Sequence, residues 1–155
     1  MSITTTTHLN FRGNAREALE FYQSVFGGQI MVIAYGDFGL PQDAPDADKV
    51  VWGQVAADNG FRVMAYDVPG QAGPAPAPAS PTSRENGVTL TGSPFFLSVR
   101  GDSVEEVGGY WEKLAKDATI VEPYGPARWA PAFGMLTDRF GVTWILDVAA
   151  PYSVA

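Results

Sequence analysis

The chain has 155 residues, 46% of them apolar, and a net charge of −7. That length suffices for one domain or two small fused modules with a shared core. The acidic balance argues against a nucleic-acid partner, which needs a positive surface to displace counterions. With no cysteine, disulfides, thiolate catalysis and Cys-ligated zinc are excluded.

Met1-Ser2-Ile3-Thr4 and the threonines after it lack the basic region and apolar core of a signal peptide. No run of about 18 apolar residues is present to span a membrane. The expectation is therefore a cytoplasmic protein with neither membrane nor nucleic acid among its partners.

Thr4 to Arg12 reads as a strand, with Leu9 and Phe11 on one side and His8, Asn10 and Arg12 on the other. Gly13 turns the chain. Asn14 and Glu17 have the spacing of a helix N-cap and its capping-box partner. Ala15, Ala18, Leu19, Tyr22, Val25 and Phe26 then form a helical stripe, which Gly27-Gly28 stops. Gln29 to Tyr35 reads as a well-buried strand. Gly36 to Asp48 is a loop. Lys49–Ala57 and Phe61–Asp67 are strands joined by the hairpin signal Asp58-Asn59-Gly60.

Pro69 to Gly87 carries five prolines among Ala, Gly and Ser, and reads as a linker or loop. Phe95–Arg100 is then a strand. Ser103 and Glu106 open a second helix with Val104, Val107, Trp111 and Leu114 on one stripe. Thr119–Tyr124 is a strand, Gly125–Pro131 a loop, and Phe133–Val148 a hairpin turning at Asp138 to Gly141.

The order β-α-β-β-β thus occurs twice. An offset of 80 residues lays Asp58 on Asp138 and Asp67 on Asp147, and an offset of 89 lays Phe21-Tyr22 on Tyr110-Trp111. This predicts an α+β fold of two paired β-α-β-β-β modules whose curved sheets surround a cleft. The expected division is a first module over 1–68, a Pro/Ala/Gly-rich linker over 69–92 and a second module over 93–155.

The phrases Gly13-Asn14-Ala15-Arg16-Glu17-Ala18-Leu19-Glu20-Phe21-Tyr22, Val25-Phe26-Gly27-Gly28 and Thr137-Asp138-Arg139-Phe140-Gly141-Val142-Thr143-Trp144, in this order of elements, resemble the vicinal oxygen chelate superfamily. That group includes glyoxalase I, extradiol dioxygenases and the fosfomycin- and bleomycin-resistance proteins. Within it the resemblance is closest to the PhnB-like branch, and it implies a homodimer. In the group's enzymes a divalent metal polarises vicinal oxygens, held by side chains on the first and last strands of each module.

Set against that pattern, His8, the one histidine, matches a ligand position on the first strand. Ile145 stands where the resemblance implies a metal-binding carboxylate. Its counterpart in the first module falls near Ala65, with Met64 beside it. The first strand of the second module offers only Ser98. A divalent ion wants three or four N/O ligands, so no metal is expected, with His8 as the ligand if one binds. Gln54, Asp67 and Asp147 are further oxygen donors near these strands.

No Ser-His-Asp arrangement or phosphate-binding glycine loop is present. Trp52, Phe95, Trp129 and Trp144, with His8 and Gln54, are the candidate ligand-binding residues, because aromatic walls with a few polar groups suit a small planar or cationic molecule. Three functions fit: a metal-independent binder of an unidentified small molecule, a metal-dependent lyase, isomerase or dioxygenase built around His8, and a non-catalytic association module.

Overall fold

The computed structural model of the chain describes residues 1–74 and 81–151. Residues 75–80 of the expected linker and 152–155 of the expected second module lie outside them. The chain divides into two compact units, 1–76 and 77–155.

The first unit runs β1 (Thr7–Phe11), α1 (Ala15–Phe26), β2 (Gln29–Ala34), a 3-10 turn (Tyr35–Phe38), β3 (Val50–Ala56) and β4 (Arg62–Asp67). Its sheet has the order β1-β4-β3-β2, with β1 parallel to β4 and the other pairs antiparallel. First and last strands of the module are therefore neighbours. Leu9, Phe11, Val55, Val63 and Ala65 turn to α1 and are buried with Leu19, Tyr22, Val25 and Phe26. Each fully buried large side chain of this kind contributes roughly 1.5–3 kcal/mol. Gly53 lies on the same face because a Cβ there would collide with Leu19 Cδ1.

Asn14 occupies the N-cap position of α1, but its side chain makes no capping bond. Asp67 does that work from the far end of the unit. Its Oδ1 accepts the Gly13 and Ala15 backbone N–H groups at 2.8 and 3.0 Å, and its Oδ2 accepts that of Val50 at 2.9 Å. A carboxylate is favoured there by the helix N-terminus and its unpaired donors. The expected burial of β2 is corrected: it is an outer strand, half-covered, with Met31 58% exposed.

The second unit contains β5 (Ser83–Glu85), β6 (Val88–Leu90), β7 (Leu97–Gly101), α2 (Val104–Leu114), β8 (Thr119–Ala127), β9 (Ala130–Thr137) and β10 (Thr143–Val148). The four-stranded sheet has the order β7-β10-β9-β8, again with first and last strands parallel neighbours. Ser103 caps α2 by accepting the Glu106 N–H at 3.2 Å. Val107 and Leu114 are buried beneath it, whereas Val104, expected on the stripe, is exposed at the first turn.

Two loops of the sequence reading are strands. Gly125–Pro131 is the end of a long β8–β9 hairpin that turns over Arg128-Trp129. Within the Pro-rich segment, β5 and β6 form a separate hairpin through Asn86 and Gly87, both at positive φ. Asn-Gly with two left-handed residues is the favoured turn for such a hairpin.

In each unit the helix covers one sheet face and leaves the other free of helix. The registers correct the internal match by one residue. His8 pairs with Met64 on β4, and Ser98 pairs with Ile145 on β10. Met64 therefore corresponds to Ile145, an offset of 81, and the expected counterpart Ala65 faces α1 instead. Since a one-residue slip moves a side chain to the other face, Asp67 and Asp147 are not equivalents. Asp67 belongs to the helix side and Asp147 to the helix-free side.

Candidate ligand-binding faces

On the first unit, the helix-free face carries a row running across all four strands: His8 on β1, Met64 on β4, Gln54 on β3 and Met31 on β2. The next row holds Asn10, Tyr66, Trp52 and Ile33. Strand alternation puts these side chains together. His8 Nδ1 and Asn10 Oδ1 stand 3.1 Å apart; because an amide oxygen accepts, the tautomer that makes this bond carries its proton on Nδ1 and presents Nε2 as an acceptor. The Tyr66 ring meets the imidazole edge-on at 5.3 Å. Gln54 Oε1 accepts a long 3.4 Å bond from Arg62 Nη1, while the Gln54 amide donors have no partner among the described residues.

Gln54 and Met31 also border a depression of about 620 Å³ reaching Phe26, Gly28, Gln29 and Asp58. That volume lies within the usual range for small-molecule sites. At the other end of the face, the Tyr35 hydroxyl donates to the Asp67 carbonyl at 2.8 Å. Burial raises the pKa of this phenol, helped by Tyr66, Asp67 and Asp46.

The second unit's helix-free face is built differently. Ser98, Ile145, Met135 and Glu122 form the row across β7, β10, β9 and β8. Beside it, Arg100 grips Asp147 with two bonds of 3.0 and 2.8 Å, and Phe133 lies opposite Asp147. The β5–β6 hairpin lies against this face: Thr89 Oγ1 approaches Met135 Sδ at 3.6 Å, and Arg84 pairs with Glu122 at 3.2 Å. Met135 is fully buried and Phe133 is 9% exposed.

Of the six candidate residues, His8, Trp52 and Gln54 share the first unit's free face. Trp144 is a core ring on the helix side of β10, fully buried, its Nε1 donating to Asp138 Oδ2 at 2.9 Å. Phe95 precedes β7 and is 55% exposed. Trp129 tops the β8–β9 turn, edge-on to Phe133 at 5.2 Å. Met64, read only as the neighbour of Ala65, takes the position beside His8. Glu122 and Arg84 were missed, and the Asn86-Gly87 turn signal could have placed Arg84 on a hairpin.

The residues do not fit a divalent metal. In the first unit the position beside His8 holds the soft thioether of Met64, and in the second unit the matching pair is Ser98 and Ile145. Among the described residues no three His, Asp or Glu side chains cluster closely enough to hold an ion.

Residues 7–146 match the family model described as the Glyoxalase/Bleomycin resistance protein/Dioxygenase superfamily. The chain belongs to this superfamily. Protein YjdN of Escherichia coli K12 is 27% identical over 148 residues, 91% of this chain and 92% of that protein. The crystal structure of protein PA1353 from Pseudomonas aeruginosa is 30% identical with a TM-score of 0.70, covering 96% of this chain and 98% of that one. The PhnB protein of Bacillus cereus is 28% identical with a TM-score of 0.66, over 95% and 100%. The PhnB-like resemblance in the sequence thus agrees with the solved structures of the superfamily. No helix among the described residues is long and apolar enough to cross a membrane.

Proposed function

We propose that this superfamily member binds a small organic molecule without a divalent metal centre, on the helix-free face of its first unit. The observation that carries this reading is the row His8, Met64, Gln54, Met31: one imidazole and one amide set among thioethers. Such a floor offers two directional polar groups in an apolar surround, which is what orients an organic ligand. Trp52 and Tyr66 in the next row supply flat aromatic surface. The ligand is accordingly planar, with an acceptor for the Gln54 amide and a donor for His8 Nε2.

A metal-dependent reaction around His8 is the rival reading, and metal analysis with a ligand panel separates the two. The proposed binder purifies without stoichiometric metal, and a planar ligand at a hundred times its Kd adds about 2.7 kcal/mol of stability. Trp52→Ala removes that shift. Stoichiometric Zn, Mn, Fe or Ni that is lost in His8→Ala would overturn the proposal. A cytoplasmic homodimer is proposed alongside, on the superfamily likeness. Light scattering at the single-chain mass of 16.6 kDa would overturn the dimer, and membrane-bound material in cell fractionation the compartment.

A further inference from the structure

The second unit holds a cation with no role in the binding face just proposed. The Arg84 side chain is only 9% exposed. A buried guanidinium is costly unless its charge and donors are met. Here they are met from two directions. Its own hairpin supplies Thr89 Oγ1, which accepts from Nη1 at 2.8 Å, and the Gly87 carbonyl, which accepts from Nη2 at 3.1 Å. The sheet supplies the rest. Glu122 Oε2 accepts from Nε at 3.2 Å, and the guanidinium carbon stands 5.1 Å from the Phe133 ring centre and 5.7 Å from that of Trp129.

One carboxylate and two π faces around a planar cation are the elements of an aromatic cage. Glu122 comes from β8, Phe133 from β9 and Trp129 from the turn between them, so the cage is a property of the sheet. Arg84 reaches it from an appended hairpin of two three-residue strands. A two-stranded hairpin of this size is marginal by itself and depends on what it docks against.

We propose that Glu122, Phe133 and Trp129 form a binding site for guanidinium-bearing ligands, which Arg84 occupies in cis. The tethered arginine competes at an effective concentration in the millimolar range. A free ligand therefore gains the site only when it is abundant or when the hairpin is drawn off. This site lies within the second unit and stands or falls independently of the first unit's face.

Methylguanidinium is the probe, with tetramethylammonium as a cation lacking the planar fork. In Arg84→Ala, methylguanidinium quenches Trp129 emission and restores hydrogen-exchange protection to 83–90. Its affinity is at least about tenfold above that for the unaltered protein, because the tethered competitor is gone. Arg84→Ala/Glu122→Gln loses the effect, and tetramethylammonium reproduces little of it. If Arg84→Ala does not fold, the unaltered protein decides: millimolar methylguanidinium should speed exchange in 83–90 relative to sodium chloride at equal ionic strength. No rescue in a folded Arg84→Ala, a rescue unchanged by Glu122→Gln, or no change in exchange in the unaltered chain would overturn the proposal.

Discussion

Asp138 and Trp144 are joined across the final turn: the indole Nε1–H donates to Oδ2 at 2.9 Å, with Asp138 4% and Trp144 0% exposed. Oδ1 of the same carboxylate accepts the Phe140 and Val142 backbone N–H groups at 2.8 and 3.0 Å. One side chain thus sets the turn and anchors the largest core ring. Asp138→Ala strands a buried indole donor and two turn donors. It should cost about 3 kcal/mol in urea unfolding, given roughly 1.5–3 kcal/mol for a hydrogen bond to a charged group. Asp138→Asn keeps one acceptor oxygen and should cost clearly less. Equal losses in the two variants would mean that charge, not acceptor geometry, holds the turn.

Asp67, at the end of β4, ties two other chain segments through three backbone donors, Gly13 and Ala15 at the entry to α1 and Val50 at the start of β3. Asp67→Ala should destabilise the protein by about 3 kcal/mol, more than the ~1 kcal/mol typical of an N-cap, because two of the three donors lie in a buried setting. Asn14→Ala should cost little, since its side chain makes no capping bond. Chemical denaturation of the two variants side by side checks the assignment. A larger loss for Asn14→Ala would contradict it.

Gly53 and Gly134 are matched positions where a helix side chain presses on the sheet. At Gly134 an added Cβ would stand 2.7 Å from Trp111 Cζ3 and 2.9 Å from Tyr124 Cα. At Gly53 it would collide with the end of Leu19, while the nearest backbone atom, the Met31 carbonyl oxygen, would stand 3.3 Å away. Backbone yields less readily than a side-chain tip, so Gly134→Ala should lose roughly 1–3 kcal/mol and Gly53→Ala the smaller amount. Thermal melts of both variants test the order.

Tyr35 and Tyr124 donate to the backbone carbonyls of Asp67 and Val104, each at 2.8 Å. Burial raises both phenol pKa values above the usual 10.0, with Tyr66, Asp67 and Asp46 adding to it at Tyr35 and Glu105 and Asp147 at Tyr124. A folded-state pKa above the unfolded one gives stability that is whole below pH 10 and is lost as pH rises through the folded value. The melting temperature should therefore fall above pH 10. In Tyr35→Phe/Tyr124→Phe that alkaline fall should be shallower, though the variant starts lower at pH 8. The same slope in both proteins would remove the two phenols from the account.

The repeat, both helices and most strands were legible because periodicity and caps are local: Leu19, Tyr22 and Phe26 recur at helical spacing, and Ser103 caps where it was read. The faces were harder. An offset of 80 laid Asp67 on Asp147 by identity, yet hydrogen-bond register sets the match at Met64 and Ile145. Identity of one residue is weaker information than a row of paired backbones. His8 and Gln54 were found with Trp52 because they alternate correctly on two strands. Trp144 was misjudged because its size and strand position look alike on either face, and only the Asp138 bond and its burial place it in the core. Arg84 was hidden by the prolines around it, whose composition outweighed the Asn86-Gly87 turn.

Among the four edge strands of the two larger sheets, β2 and β8 are unequally protected. β8 carries Pro123 and Pro126 and shifts register three times against β9, so another strand cannot easily pair along it. β2 reads Gln29-Ile30-Met31-Val32-Ile33-Ala34, without charge or proline, and is the stretch with the composition of a cross-β segment. Shelf life at high concentration should therefore be governed by β2. Met31→Lys, at a position 58% exposed, should delay fibre formation followed by dye binding while lowering the unfolding free energy by no more than about 0.5 kcal/mol.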